Sequence, residues 1–581
     1  MLDLARLSFE QRQAVLAPCG PLAIVAGPGS GKTTVLAARI AYLVIARHVS
    51  PDSILAVSFT SKAARELRTR LVGVLGPLGR EVDVTTFHAF GLRIIRHWVG
   101  ELGLGPGPPI VYDEDDARVL LRDVAQRQDV DAGTLAMATL ASRLNRYRLG
   151  NDASTPLWLR VLADEYQAAL QSRGAVDFTA MLSTPLRLFD ERPSALRMYQ
   201  DAYRHILVDE FQDVSAPQYR LLQRLAARHG NLTVVGDPLQ TLYAWRGADA
   251  DGLRHFQRDF PTACVFQLHT NYRSTGCILA VANTLGASLD ADRRLRTDNP
   301  AGSIPRLHSA RDEEGEAGFV AEEIGRLLDD GRGHHLSDIA VLYRTNHQAD
   351  ELALALRERR LAYRVRGRSD LFHRREVRDV LAYLRLACNP TDTAALERIA
   401  KTTPALHVHP DIHPQARRLS PPLLVDTILE RTGYRRWLAQ QPDGERRLGY
   451  LADLRRLLER VEGDLADWLD ALRLGDDPEA HETADQVTLT TIHASKGGEW
   501  QVVFVVGIEE GLLPHTHALM REPNSGAIQE EQRLAYVAVT RPRDRLYLSY
   551  CRSRWRGEAA VACQPSRFLR GLPLDTSRRF P

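Results

Sequence analysis

The segment LAIVAGPGSGKTT, residues 22–34, decides the architecture of this 581-residue chain. LAIVAG is a short, continuous apolar run of the kind buried on both faces of a parallel sheet. AGPGSGKTT, residues 26–34, is a glycine-rich turn, and VLAARIAYL beyond it has helical spacing. Strand, loop and helix in this order make a phosphate cradle, because loop N–H groups close around phosphate oxygens and a helix N-terminus favours anions. Ala26, Gly27, Gly29, Ser30, Gly31 and Thr34 form the loop and helix start. Lys32 is placed to reach the β- and γ-phosphates and Thr33 to ligate Mg2+, which makes ATP the expected substrate.

Further apolar runs extend the pattern outward. ILAVSFT (54–60), HILVDE (205–210) and LTVVGD (232–237) belong with the first strand. The pattern restarts at IAVLYRT (339–345), VTLTTIHASKG (487–497), VVFVVGIEEG (502–511) and LYLSY (546–550), so two α/β cores are expected. Each core is interrupted. Past GLGPGPP (103–109) the chain turns helical, with Asp113 and Asp115 as candidate caps. A second helical block begins near Asn389.

VDEFQD (208–213) follows a strand. Asp209 is placed to hold the magnesium shell, and Glu210 to orient and deprotonate the attacking water. GDPLQTLYAWRGA (236–248) ends another strand, where Gln240 can sense the γ-phosphate. NYRST (271–275) and VTRPRD (539–544) add Arg273 and Arg541 from the second half. Arginines arriving from a facing domain contribute about 10³–10⁵ in rate in such enzymes.

Composition sets limits. The net charge of +2 gives no bulk preference for nucleic acid, so a polyanion track must be a local groove. Four lysines stand against 71 arginines, a bias assigned to genomic composition. Six cysteines without a CxxC argue against zinc knuckles, iron–sulfur clusters and disulfide frameworks. No apolar run reaches the roughly 18 residues of a membrane span, and the N-terminus lacks a signal-peptide core, so a cytoplasmic protein is expected. His407, His409 and His413 read as a solvated loop rather than a metal site.

Taken together, these motifs resemble the UvrD/PcrA/Rep-type helicases of superfamily 1. LSFEQRQAV (7–15), TTFHAF (85–90), IVYDEDD (110–116) and PSRFL (565–569) fit the same pattern. The resemblance implies an α/β fold of two RecA-like P-loop NTPase cores, each with a mainly helical insertion domain. The expected division is core 1A at 1–102, insertion 1B at 103–190, core 1A again at 191–270, core 2A at 271–388, a reduced insertion 2B at 389–484, and core 2A again at 485–581.

It also implies roles. Gln11 should bond the adenine and Tyr272 stack on it with Arg39 nearby, Glu499 should touch the ribose, and Arg273 and Arg541 should take the γ-phosphate. Phe59, Tyr243 and Trp245 should stack DNA bases, each worth roughly 1–3 kcal/mol. Arg246, Phe87, His88, Arg344 and Asn346 should line the DNA groove, with His493 coupling it to ATP.

The implied activity is an ATP-dependent 3′→5′ DNA helicase acting on single strands and their junctions with duplex. Repair, replication or defence proteins are candidate partners, and the form is a monomer or weak dimer. The alternative is a single-strand translocase that remodels protein–DNA complexes. It is motivated by the short 2B block, where ALHVHPDIHP replaces a duplex-contacting turn. No C-terminal extension is expected.

Overall fold

The computed structural model describes residues 4–576 apart from 106, 129–135, 151–154, 243–250, 292, 332, 367–369, 403–418, 462–463, 474–484, 523–525 and 557–558. The first core is built on β1 (Leu22–Ala26), β2 (Ile54–Ser58) and β3 (Asp83–Thr86). A two-stranded pair, β4 (Ile110–Val111) and β5 (Ala175–Val176), lies in the insertion. Then β6 (His205–Val208), β7 (Leu232–Gly236) and β8 (Cys264–Leu268) complete the first sheet, in the order β3-β2-β6-β7-β1-β8. All its pairings are parallel, so every strand delivers its carboxyl end to one edge.

Alternation along the strands explains why both faces are covered. Leu22, Ile24 and Ala26 join Val35, Leu36, Ile40 and Leu67 from the helices on one side. Ala23, Leu55, Val57, Val208 and Val234 join Phe90, Leu221 and Phe256 on the other. The helix Ala180–Glu191 belongs to this second cluster through Leu182, Leu188 and Phe189.

The second core repeats the design. β9 (Arg306–Ala310), β10 (Ile339–Tyr343), β11 (Tyr363–Val365), β12 (Val487–Thr491), β13 (Trp500–Val505) and β14 (Pro542–Cys551) run in the order β11-β12-β10-β13-β14-β9, again all parallel. Two clusters sandwich this sheet as well. Beyond β14, a hairpin formed by Ser553–Arg556 and Ala559–Ala562 exposes Trp555.

Both insertions are helical. Glu114–Arg127, Met137–Arg148 and Leu157–Ser172 share one small core. Helices from Arg375–Cys388 to Leu465–Arg473 share another, around Val380, Leu424, Ile428 and Leu454. The two insertions meet: Arg378 pairs with Asp115 at 2.7 Å, Arg473 with Asp116 at 2.8 Å, and the Tyr112 and Thr393 hydroxyls lie 3.1 Å apart. Among the described residues no helix is long and apolar enough to cross a membrane.

Candidate nucleotide site and nucleic-acid interface

The loop after β1 is shaped by two glycines with left-handed backbone, Gly29 at φ +67° and Gly31 at φ +83°. Gly31 caps the helix Lys32–Arg47 without any side-chain hydrogen bond, which leaves the first N–H groups of that helix for a ligand. Ser30 Oγ donates to Gly27 O at 2.7 Å and holds the turn. Gln11 Nε2 donates to Ser30 O at 2.9 Å, so the helix Phe9–Leu16 is tied to the same loop. Lys32 Nζ is folded onto Ala26 O and Gly27 O at 3.4 and 3.5 Å. Burial pushes its ammonium down, and the carboxylates of Glu210, Asp237 and Asp209 oppose that shift.

Asp209 and Glu210 follow β6. Asp209 is 3% exposed, and its Oδ1 accepts from Glu210 N at 2.9 Å. Burial, then the Glu210 charge, pushes the Asp209 carboxyl up. Burial acts on Glu210 in the same sense, but Lys496 and then Lys32 outweigh it and hold Glu210 down. Glu210 is also a non-glycine residue at φ +51°, a conformation of the kind that clusters where geometry matters to function.

The two cores close on this site. Asn271 Nδ2 donates to Pro28 O at 2.7 Å and Tyr272 N to Gly29 O at 2.8 Å, which sets the NYRST segment directly on the phosphate loop. Arg273 is held by Glu499 at 2.7 Å and donates to Thr540 O at 3.0 Å. Arg541, 2% exposed, donates from Nη2 to Gln240 Oε1 at 3.1 Å. Burial, then the Arg273 cation beside it, makes its charge costly to hold. Lys496 reaches from the second core to Asp213 and donates to Gln240 O at 2.9 Å. Burial raises the Asp213 carboxyl to about 6 despite that lysine. Leu239 and Leu242 of the first core sit in an apolar cluster of the second, beside Ile278, Leu285 and Tyr536.

Three buried or half-buried cations, Lys32, Arg273 and Arg541, thus converge with one pair of adjacent acids on a capless helix start. A polyphosphate fits this set, because its oxygens offset the cost that burial puts on the Lys32 and Arg541 charges. Thr33 and Asp209 offer the hard oxygens that suit magnesium. Among the described residues there is no cluster of three or more His, Cys, Asp or Glu side chains for a protein-only metal cage.

The matching family models cover the chain almost end to end: the UvrD/REP helicase N-terminal domain over residues 7–261, and the UvrD-like helicase C-terminal domain over 266–408 and 442–553. This chain belongs to the UvrD-like helicase family. Among its relatives, the ATP-dependent DNA helicase PcrA of Bacillus subtilis (strain 168) is 33% identical, matching 98% of this chain and 86% of its own length. The ATP-dependent DNA helicase UvrD1 of Mycobacterium tuberculosis (strain ATCC 25618 / H37Rv) is 36% identical, over 99% and 86%. The PcrA of Staphylococcus aureus (strain Mu50 / ATCC 700699) is 32% identical, over 98% and 86%.

In this UvrD-like helicase two of the expected ATP residues are already held by other parts of the protein. Arg39 is 2% exposed and donates to Val15 O at 2.8 Å and Pro18 O at 2.9 Å, so it pins the segment after the Gln11 helix. Glu499 is bound to Arg273 and Arg543. Tyr272 is 47% exposed, open to a flat ligand.

The expected DNA residues divide. Phe59 follows β2 and His88 follows β3, on the carboxyl edge of the first sheet; His88 packs edge-on to Phe178 at 5.5 Å. Phe87 is 3% exposed and packed into the core cluster with Phe90, so its ring is not offered to a base. Arg344 follows β10 and pairs with Glu531 at 2.7 Å, while Asn346 is exposed. Burial, then Arg344, lowers His493 to about 4, so its ring is neutral at pH 7. Tyr243, Trp245 and Arg246 lie outside the described residues, as do His407, His409 and His413.

Sequence reasoning passed over Lys496, Asp213, Asp237 and Arg293, all of which link the cores. Lysine scarcity was a usable sign for Lys496. No local pattern marks Arg293.

Proposed function

We propose that this chain is an ATP-dependent, 3′→5′ DNA helicase that walks on single strands. The observation that carries the reading is that arginines of the second core, Arg273 and Arg541, stand at the phosphate loop of the first. Lys32 would leave the Ala26 and Gly27 carbonyls for the β- and γ-phosphates of ATP. Thr33 and Asp209 would hold magnesium, which supplies positive charge against the β- and γ-oxygens when bound. Glu210, kept ionised by Lys496 and Lys32, takes the proton of the attacking water. Arg541 exchanges Gln240, and Arg273 exchanges Glu499, for the charge developing on the γ-phosphate. Hydrolysis then depends on how the cores are seated, and that dependence can be turned into movement.

The strand lies across the carboxyl edges of both sheets, where ligands of parallel α/β folds bind. Phe59 and His88 face it on one core, and Arg344, Asn346 and His493 on the other. His493 and Lys496 share the short segment after β12, and Lys496 Nζ lies 3.8 Å from the Glu210 carboxylate, which gives a direct route from DNA to the general base. The relatives named above are DNA helicases, in support of DNA as the track. Contacts to backbone and base faces carry no sequence preference, as general DNA transactions in repair or replication require.

A second reading, a translocase with weak unwinding, is favoured by one fact: residues 409–441 lie outside the family models. Purified protein is given 3′-tailed, 5′-tailed and blunt duplexes, with a single-strand translocation assay alongside. Unwinding of the 3′-tailed substrate alone is expected. Translocation without unwinding selects the second reading, and ATPase activity indifferent to oligonucleotide overturns both.

A further inference from the structure

Asp237 follows β7 with its side chain fully buried, and its carboxylate is divided among three donors. Oδ1 accepts from Leu239 N at 3.1 Å and from Arg293 Nη1 at 2.6 Å; Oδ2 accepts from Gln240 Nε2 at 2.6 Å. Leu239 and Gln240 are its neighbours in the chain, but Arg293 is not. It lies in the second core, on the segment stitched to the helix Gly276–Ala287 by two bonds: Asn283 Nδ2 to Leu295 O, and Leu295 N to Asn283 Oδ1, both at 2.9 Å. The Arg293 side chain is 8% exposed.

The consequence falls on Gln240, which is 2% exposed. With Nε2 given to Asp237, its Oε1 accepts from Arg541 Nη2 at 3.1 Å. The charges on either side dictate this orientation. Turning the amide over would press N–H against the Arg541 guanidinium and the carbonyl oxygen against a carboxylate. The end of Gln240 next to Arg541 is therefore an acceptor. It can hold a guanidinium or an O–H of the attacking water, but it cannot donate to a phosphate oxygen.

Asp237 could not keep this arrangement alone. It lies within electrostatic reach of Lys32 and Arg541, and without Arg293 those catalytic cations would become its counter-charges. We propose that Arg293 is a positioning residue for ATP hydrolysis: reaching across from the second core, it neutralises Asp237 and fixes the Gln240 amide with its oxygen toward the attacking water. Glu210 still takes the proton as the water oxygen bonds to the γ-phosphorus and the bond to the bridging oxygen breaks; Gln240 only accepts a hydrogen bond. The inference rests on the reading of Gln240 as a nucleotide-facing group.

The test is steady-state ATPase of the full chain with saturating oligothymidylate, for wild type, Arg293→Met, Gln240→Ala and the double variant. Arg293→Met should lower kcat by about ten-fold and move KM for ATP less than about two-fold, a loss of about 1.4 kcal/mol confined to the transition state. The double variant should match Gln240→Ala alone, because both act through one amide. Arg293→Lys, which keeps the charge but not the fork, should recover part of the rate. Unchanged kcat in Arg293→Met, or losses that multiply in the double variant, overturn the positioning role. Full activity in Gln240→Ala instead overturns the reading of Gln240, and the inference with it. If Arg293→Met does not fold, Arg293→Gln, which can still donate once to Asp237, replaces it under the same criterion.

Discussion

Glu210 and His493 are the two ends of the proposed route from nucleotide to DNA, and each has a simple residue-scale test. Glu210 carries its carboxylate on left-handed backbone and beside two lysines, so removing its charge should stop chemistry without emptying the site. Glu210→Gln should bind ATP with near-normal affinity while turnover falls at least ~10²-fold, the scale of a lost general base; equilibrium binding beside steady-state turnover checks this. His493 is depressed from 6.5 to about 4, so the unfolded chain binds its proton first. The stability it contributes is complete above pH 6.5 and is lost as pH falls toward 4. The melting temperature of wild type should therefore drop more steeply across that window than that of His493→Gln. At this scale the turn at Gly29 and Gly31 between β1 and the helix Lys32–Arg47 was legible, because a tight glycine turn needs those residues at fixed spacing. Phe87 was not, since an aromatic after a strand reads the same whether it faces a base or the core. Arg293 and Asp237 were illegible for another reason: their pairing exists only in three dimensions.

Among the elements, the continuous apolar runs correspond to β1, β2, β6, β7, β10, β12, β13 and β14. Within the two large sheets, the strands that the reading passed over, β3, β8, β9 and β11, are the four edges. Their burial is mixed, because an edge strand is covered less completely, and so they lack the uniform apolar run. The phosphate loop leaves no room for a side chain at Gly29. A Cβ on Gly29 would lie 2.6 Å from Asn271 Nδ2 and 2.7 Å from Arg273 Cβ, on backbone at φ +67°. Gly29→Ala should push NYRST off the loop, costing about 1 kcal/mol or more in stability and over ten-fold in kcat/KM for ATP. Melting and ATPase titration read the two effects separately. In the first insertion, Arg148 and Asp177 form a buried pair at 2.5 Å, with Tyr166 donating to the same carboxylate at 3.1 Å. Burial raises Asp177, yet Arg148 and three hydrogen bonds bring it below the usual range. Its stabilisation is thus present above about pH 3.9 and lost as pH falls through the lower folded value. Arg148→Met strands the carboxylate and should cost ~3–5 kcal/mol in denaturant unfolding at neutral pH.

Over the whole molecule, the helical insertions are joined to each other by charge. Arg473, 9% exposed at its side chain, pairs with Asp116 at 2.8 Å, whereas Arg385, 3.5 Å from Asp116, is also held by Asp392 at 2.8 Å. Asp116→Ala should therefore loosen the helices Glu114–Arg127 and Leu465–Arg473 together. Hydrogen exchange in both should rise by roughly the factor that 3–5 kcal/mol allows, while β1 and β7 stay protected. Protection that changes in one insertion alone would show that the pair does not bridge them.

Leu239 and Leu242 give the motor a thermal signature. They are first-core side chains seated in second-core hydrocarbon, so any stroke that parts the lobes hydrates them, and any stroke that joins the lobes dries them again. Apolar hydration carries a large positive heat capacity. The enthalpy of nucleotide-driven closure in this chain should therefore slope downward with temperature, and the cycle should run differently in cold and in warm cells, although no bond to ATP itself has changed.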